Sequence, residues 1–177
     1  MTRLRLSLPP GYAPAPGVDR AAPTSARSGD GDPAGPDAVL DALAARTARG
    51  VVTAGVLALD ASTTAWLTVA VTALDGVPPA AGRIVDGIVE VLRTRYPAAD
   101  VRPVVLPAGP AVRTEQRGRL DLAAGRVEVT DVRHLVPLPG GREVVTLVLQ
   151  AGDADPVLLG ETADRAARGL LIEDGAP

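Results

Sequence analysis

The residue types most often used in catalysis are scarce in this chain. It contains one histidine, His134, and no cysteine, so thiolate nucleophiles, disulfides and thiolate metal ligands are all excluded. One imidazole cannot complete a multi-histidine metal site, and its neighbours Arg133 and Leu135 form no known ligand spacing. His134 is either a catalytic base or a strand residue that faces solvent or satisfies a hydrogen bond. We adopt the second interpretation and expect no metal site.

Glycine-rich segments and serines also lack the spacing of enzyme motifs. Segments 107–110 and 139–141 have neither the Lys-Ser/Thr of a phosphate loop nor the spacing of a dinucleotide fingerprint, so we interpret both as turns. No serine stands in the Gly-x-Ser-x-Gly elbow of an α/β-hydrolase. Scattered carboxylates such as Asp121 and Glu128 either assemble a general-acid pair in space or are solvated surface charge. We therefore predict no catalytic residue and no cofactor.

The most suggestive polar residues alternate along one predicted strand. They are Arg113, Glu115, Arg117 and Arg119, which share one strand face because strand side chains repeat with period two. We expect this face to point outward, where it either binds an acidic partner or forms a salt-bridged solvent surface. Together with His134 and Trp66, these four residues are the candidate partner-binding set.

Trp66 enters that set because aromatic side chains with a polar tip are enriched at protein interfaces. The chain has one tryptophan, two tyrosines and no phenylalanine, so its core must be built from Val, Leu, Ile and Ala. In such a chain the alternative is that Trp66 is the largest residue of the core or its margin.

Length and charge restrict the class of protein. With 177 residues and 46% hydrophobic content, the chain is long enough for one domain, which we expect to span residues 1–177. Eighteen basic and twenty-one acidic residues give a net charge of −3, which offers no electrostatic footprint for nucleic acid. The amino terminus has no apolar run of signal-peptide length, and no later run reaches the roughly 18 residues needed to span a bilayer. We expect a cytoplasmic protein without membrane insertion.

Hydrophobic periodicity predicts the elements of the first half of the chain. Residues 3–8 alternate as a half-buried strand, and residues 9–35 form a Pro/Gly-rich tethering loop that could be disordered. A helix follows at 36–49. Strands at 51–60 and 65–74 are expected to pair as a hairpin.

The second half of the chain shows two helices and four strands. The strongest helical pattern covers residues 80–95, and further strands are predicted at 101–106, 111–119, 126–138 and 143–150. Asp155 and Pro156 then begin a helix that runs to Leu170. Because strands adjacent in sequence are joined by short turns, we predict an α+β fold. It has an antiparallel sheet of about six to seven strands flanked by two to three helices.

Three proline- and glycine-containing motifs carry a resemblance to a known layout. They are LPPGY at residues 8–12, LPAGPA at 106–111 and HLVPLPG at 134–140, the last preceding a hydrophobic strand and the final helix. On these motifs the chain resembles uncharacterised actinobacterial proteins whose layout is similar to the PsbP-like α/β/α sandwich, some of them associated with type VII secretion loci. The resemblance implies an antiparallel sheet flanked by helices and a non-enzymatic accessory role, and it supplies no catalytic residue.

Three functional hypotheses follow from these patterns. The first is a non-enzymatic interaction or accessory domain that meets an unidentified protein partner through a sheet face or edge, with a possible link to type VII secretion. The alternative is a small-molecule-binding or enzymatic domain, which a deep cavity with converging Asp, Arg or His134 side chains would favour. The third is a homo-oligomer in which valine-rich strands pair across a two-fold axis.

Overall fold

The computed structural model describes residues 2–15, 51–73, 83–122, 125–152 and 154–174. In these ranges the strands are β1 (Thr2–Leu6), β2 (Tyr12–Pro14), β3 (Val51–Ala58), β4 (Thr64–Ala73), β5 (Asp100–Leu106), β6 (Gly109–Leu122), β7 (Gly125–Pro137), β8 (Glu143–Gly152) and β9 (Leu170–Asp174). The helices are α1 (Ile84–Arg95) and α2 (Pro156–Arg168). Neither helix in this part of the chain is long and apolar enough to cross a bilayer.

Seven of the strands form one antiparallel sheet in the order β2-β3-β4-β8-β7-β6-β5. The other two, β1 and β9, pair antiparallel as a separate two-stranded sheet. Strands β3 and β4, and each consecutive pair of strands from β5 to β8, are joined by short connections. Strands β4 and β8 also pair, although they are far apart in the sequence. The predicted α+β class and antiparallel sheet are confirmed, and so is the hairpin between the strands at 51–60 and 65–74.

Helix α2 covers one face of the main sheet. Leu159 and Ala163 pack against Val132 and Leu147 in the largest apolar cluster, and all four side chains are fully buried. Several leucines and an isoleucine of the small sheet add to this cluster from the side. Burying these side chains supplies the main force that holds α2 and the small sheet on this face, at about 25 cal/mol per Å² of apolar surface.

Helix α1 packs on the opposite face, over β5 and β6. Ile88 and Val89 contact Val101 and Val112, with Leu135 of β7 at the margin of this cluster. Since Leu135 is an odd number of residues from Val132, the two side chains point to opposite faces of β7. The sheet therefore has one described helix on each face. The side chain of Arg93 fixes the end of α1 by donating to the carbonyl of Val101 from Nε and Nη2.

Local signals begin and end helix α2. The Asp155 side chain accepts a hydrogen bond from the Val157 amide at 2.9 Å, and Pro156 occupies the first turn, as the sequence predicts. The helix ends at Arg168 and does not reach Leu170, which belongs to β9. The turn after α2 requires glycine at position 169, because a Cβ there would collide with the carbonyl oxygen of Ser7.

Two short strands were not predicted from the sequence. Tyr12–Pro14 lies inside the proposed 9–35 loop yet forms β2, where the Tyr12 hydroxyl and Thr53 Oγ1 share a 2.8 Å hydrogen bond. Strand β9 follows α2 after one residue and pairs with β1. The predicted helix at 36–49 and the remainder of the loop, residues 16–35, lie outside the described residues.

Candidate functional site

Arg113 is buried between the sheet and helix α2. It is 4% exposed, its Nε donates to Asp164 Oδ1 at 2.9 Å, and its Nη2 lies 3.0 Å from Glu115 Oε2. The expectation that Arg113 faces solvent with the other residues of its strand face is therefore wrong. The period-two pattern assigns these residues to one face correctly, but α2 crosses that face at Arg113.

Charge balance explains how the guanidinium stays ionised in this position. Burial lowers the pKa of Arg113, but hydrogen bonds and charge attraction from Asp164 and Glu115 outweigh that effect and raise the pKa above its ordinary value. An ionised arginine with two carboxylate partners is the arrangement in which a buried charge is tolerated.

His134 joins the same group from the adjacent strand. Arg113 and His134 are directly opposite each other in the β6–β7 ladder, and His134 Nε2 lies 2.9 Å from Asp164 Oδ1. The imidazole is 1% exposed. Burial lowers the pKa of His134, and repulsion from Arg113 adds to this effect while Asp164 opposes it. Burial thus favours the neutral ring, and Nε2 donates its hydrogen to Asp164 Oδ1, because a carboxylate oxygen accepts.

We call Arg113, Glu115, His134 and Asp164 the interface cluster. Two of its nitrogens, Arg113 Nη1 and His134 Nδ1, are buried without a hydrogen-bond partner within the described part of the chain. An aspartate–histidine pair is half of the arrangement that activates a nucleophile, but such a base must reach a substrate. With its ring 1% exposed, His134 instead helps to tie α2 to the sheet. The predicted interpretation of His134 as a hydrogen-bonded strand residue agrees with this geometry.

A second polar group lies on the other face of the sheet. Asp131 is 4% exposed and accepts from Arg133 Nε and Nη2, each at 2.7 Å, and from Gln150 Nε2 at 2.8 Å. The hydrogen bonds to Asp131 raise the pKa of Arg133 despite its burial. Three charge-assisted donors satisfy this carboxylate, which makes the group a structural link between β7 and β8.

The remaining charged residues of β6 lie where this strand runs past its neighbour. Pairing with β5 ends at Asp100 opposite Glu115, and pairing of β7 with β8 reaches only Val129 opposite Gly152. Residues 119–122 and 125–128 therefore form a hairpin that projects from the sheet, which we call the projecting hairpin. We call the outer side of residues 116–122 the open β6 edge, since no described strand is hydrogen-bonded to it.

Arg117, at the base of this hairpin, and Arg119, on it, are exposed, whereas Glu115 is half-buried. The hairpin carries two cross-strand ion pairs. Arg126 Nε lies 2.7 Å from Asp121 Oδ1, and Arg119 Nη2 lies 3.7 Å from Glu128 Oε1. All four side chains are mainly in solvent, where such a pair contributes about 0.2 to 1 kcal/mol. The expected salt-bridged solvent surface is therefore found at Arg119 but not at Arg113.

Trp66 packs against the base of the projecting hairpin. It is 5% exposed and packs in a small apolar cluster with Ala54, Leu120 and Val129. Leu120 belongs to the projecting hairpin, so this cluster attaches the hairpin to β4. Trp66 thus takes the predicted position of a large residue at the margin of the core.

An open cleft of about 280 Å³ lies between the hairpin and the start of α2. Its lining consists of Arg117, Glu128, Val129, Thr130, Ala154 and Pro156. Arg113, His134 and Asp164 do converge, as the enzymatic alternative requires, but they are not in this lining. Among the described residues, no three His, Asp or Glu side chains are grouped so as to hold a metal ion.

These elements define an α+β protein with a seven-stranded antiparallel sheet and one described helix on each face. Among solved structures, the chain is similar to LpqN of Mycobacterium tuberculosis, a protein involved in cell envelope biogenesis, with a TM-score of 0.53 and 11% sequence identity. The match covers 98% of this chain and 85% of that one. No family model matches the chain, and no curated protein sequence matches it. At this identity the likeness shows a shared fold alone.

Proposed function

We propose that this protein is a non-enzymatic interaction domain that binds a protein partner through the projecting hairpin and the open β6 edge. The observation that carries the proposal is the length of β6, whose residues 116–122 extend beyond β5 and leave a strand edge without a described neighbour. An unpaired edge presents backbone donors and acceptors to which an extended segment of another chain can add as a strand.

Proline distribution supports the choice of this edge. The two outer strands of the sheet, β2 and β5, contain Pro14 and Pro103, and a proline in an edge strand removes a backbone donor. Residues 116–122 contain no proline. The open β6 edge is therefore better suited to strand addition than either outer strand.

The charge of Arg117 at the base of the hairpin favours a partner with an acidic side chain at this point. Arg117 is exposed and, within the described residues, forms no ion pair, while Arg119 and Arg126 lie on the same face of the hairpin. An acidic residue of the partner next to Arg117 would form a new ion pair without breaking an existing one. Such rim charges mainly increase association rate and specificity.

The interface cluster holds α2 in a fixed position on the sheet, and this supports the proposed role as an interaction domain. Arg113 and His134 hold Asp164 of α2 from two adjacent strands, and both side chains are inaccessible to a substrate in this conformation. Hydrogen bonds from both strands to one carboxylate of α2 fix the position of this helix on the sheet. This arrangement is what we expect of an interaction domain with a rigid scaffold.

The biological context belongs to the same proposal. The fold is shared with a protein involved in cell envelope biogenesis. The proline and glycine motifs resemble uncharacterised actinobacterial proteins with a PsbP-like layout, some of them associated with type VII secretion loci. We therefore propose an accessory role in secretion or envelope assembly, with the cytoplasm as the location. Fractionation of the tagged protein from its own cells tests the location.

Site-specific crosslinking in those cells tests the function. A photoreactive benzoylphenylalanine replaces Arg117 in one variant and Val91, an exposed residue of α1 on the other face, in the control. We expect adducts to a defined protein from position 117 and none of these from position 91. Equal adduct patterns from both positions, or none from either in a folded protein, would reject the proposal.

A further inference from the structure

We propose that a second copy of this chain occupies the open β6 edge, so that two β6 strands pair antiparallel about a two-fold axis and join two sheets into one. The inference rests on the proposed use of this edge as an interaction surface. The axis is perpendicular to the sheet and passes next to Leu120.

The backbone of the edge is accessible to a second strand. Arg117, Gly118, Arg119 and Asp121 are all exposed, and a Cβ placed on Gly118 would meet no atom within 4 Å. The last residue of β6 that pairs with β5 is Glu115, so β5 ends before this segment begins. Within the described residues, no strand competes with the second copy.

Charge complementarity selects the register. When Leu120 lies opposite the partner's Leu120, Arg119 lies opposite the partner's Asp121, and symmetry repeats this pair on the other side of the axis. Directly opposite side chains of an antiparallel pair are about 5 Å apart at Cβ, where opposite charges attract. A register centred on Arg119 would instead place this arginine opposite the partner's Arg119.

The existing ion pairs extend this match across four strands. In the β6–β7 ladder Arg119 is opposite Glu128, and Asp121 is opposite Arg126. The proposed register therefore aligns Glu128, Arg119, the partner's Asp121 and the partner's Arg126 in one row of alternating sign. The two-fold axis produces a second identical row. Charges of one sign on an edge would repel a second copy, but both signs alternate here.

Charge-reversal variants test the register directly. R119D places an aspartate opposite the partner's Asp121 at both symmetric positions, and D121R places an arginine opposite the partner's Arg119. Two attractive pairs become repulsive in each case, so we expect either variant to raise the dimer dissociation constant by about tenfold or more. An equimolar mixture of R119D and D121R restores attraction at both positions, so it should form a heterodimer more tightly than either variant self-associates.

Sedimentation velocity over a range of concentrations measures these equilibria for the full chain. R102D is the control, because Arg102 is an exposed arginine with its own surface ion pair on β5, opposite Arg113 and outside residues 116–122. Circular dichroism and thermal melting verify that each variant is folded.

The outcomes are distinct. Concentration-dependent dimerisation that R119D and D121R weaken, that R102D leaves unchanged and that the mixture restores is the expected result. A monomer at all concentrations, or a dimer insensitive to both reversals, overturns the inference. If the chain is monomeric but crosslinks from Arg117 to another protein, the proposed function stands and the second copy does not. If the chain is monomeric and position 117 gives no crosslink, both the second copy and the proposed function are rejected.

Discussion

The guanidinium of Arg113 lies directly over Gly160 of helix α2, in the space that a side chain would need. A Cβ built on Gly160 would stand 2.9 Å from Arg113 Nη2, which is closer than real Cβ contacts. Glycine in the middle of a helix costs about 1 kcal/mol relative to alanine. The sequence therefore accepts a weaker helix at this turn, and the gain is room for a buried arginine that binds Asp164 and Glu115.

Gly160→Ala should destabilise the protein even though alanine is the better helix former. Arg113 is 4% exposed and held by two carboxylates, so it cannot move aside without losing hydrogen bonds. Overpacking of this kind costs about 1 to 3 kcal/mol, which over most of this range exceeds the gain of about 1 kcal/mol in helix propensity. Urea denaturation measures the change. Glu161→Ala, at an exposed position of the same helix, is the control and should be nearly neutral; a more stable Gly160→Ala protein would contradict the account.

Asp164→Asn should cost about 1 to 3 kcal/mol of folding free energy. The Oδ1 atom of Asp164 is shared by Arg113 and His134, so loss of its charge leaves the guanidinium with Glu115 alone. The lower part of the usual range for a broken buried ion pair applies because the Asp164 side chain retains some contact with water. Glu115→Gln is the matched comparison, since Arg113 then keeps Asp164. Chemical denaturation that ranked Glu115→Gln as the more damaging change would reverse this assignment.

Folding stability should decrease as the pH falls below about 6.5, the unfolded pKa of histidine, and His134 should be the cause. Burial lowers the pKa of His134 in the folded state, so the unfolded chain binds the proton first and acid favours unfolding. The stabilising contribution is complete above the unfolded pKa and is lost between it and the lowered folded value. The chain has one histidine, so His134→Gln should flatten the dependence of the urea midpoint on pH in this window. An unchanged slope in the variant would assign the effect to other groups.

The elements whose formation depends on residues close together in the sequence could be predicted from local signals. The Asp155-Pro156 start of α2 and the alternation of β6, β7 and β8 are properties of short segments, and the structure has them where they were predicted. Strand β9 has five residues and begins one residue after a helix, and its partner β1 is at the other end of the chain. No local pattern shows that pairing, so the helical pattern of the sequence continues to Leu170.

The interface cluster was beyond sequence reasoning for a related reason. Asp164 lies 51 residues from Arg113 and 30 from His134, and periodicity cannot show that α2 crosses β6 at Arg113 and leaves Arg117 in solvent. A usable signal was present, however. Gly160 and Asp164 are four residues apart on one face of a predicted helix, and a glycine at such a position indicates a close approach by another group.

Leu120→Ala should detach the projecting hairpin locally and report this through Trp66. Leu120 and Trp66 share one small apolar cluster, so truncation leaves a cavity beside the indole and should cost about 2 to 4 kcal/mol. Trp66 is the sole tryptophan, and we expect its native-state emission to shift to the red as water approaches. Leu159→Ala is the control, because Leu159 is equally buried but belongs to the α2 cluster on the other face. It should lower the urea midpoint without moving the native emission maximum. If both variants moved that maximum alike, the Trp66 cluster would not be an independent support of the hairpin.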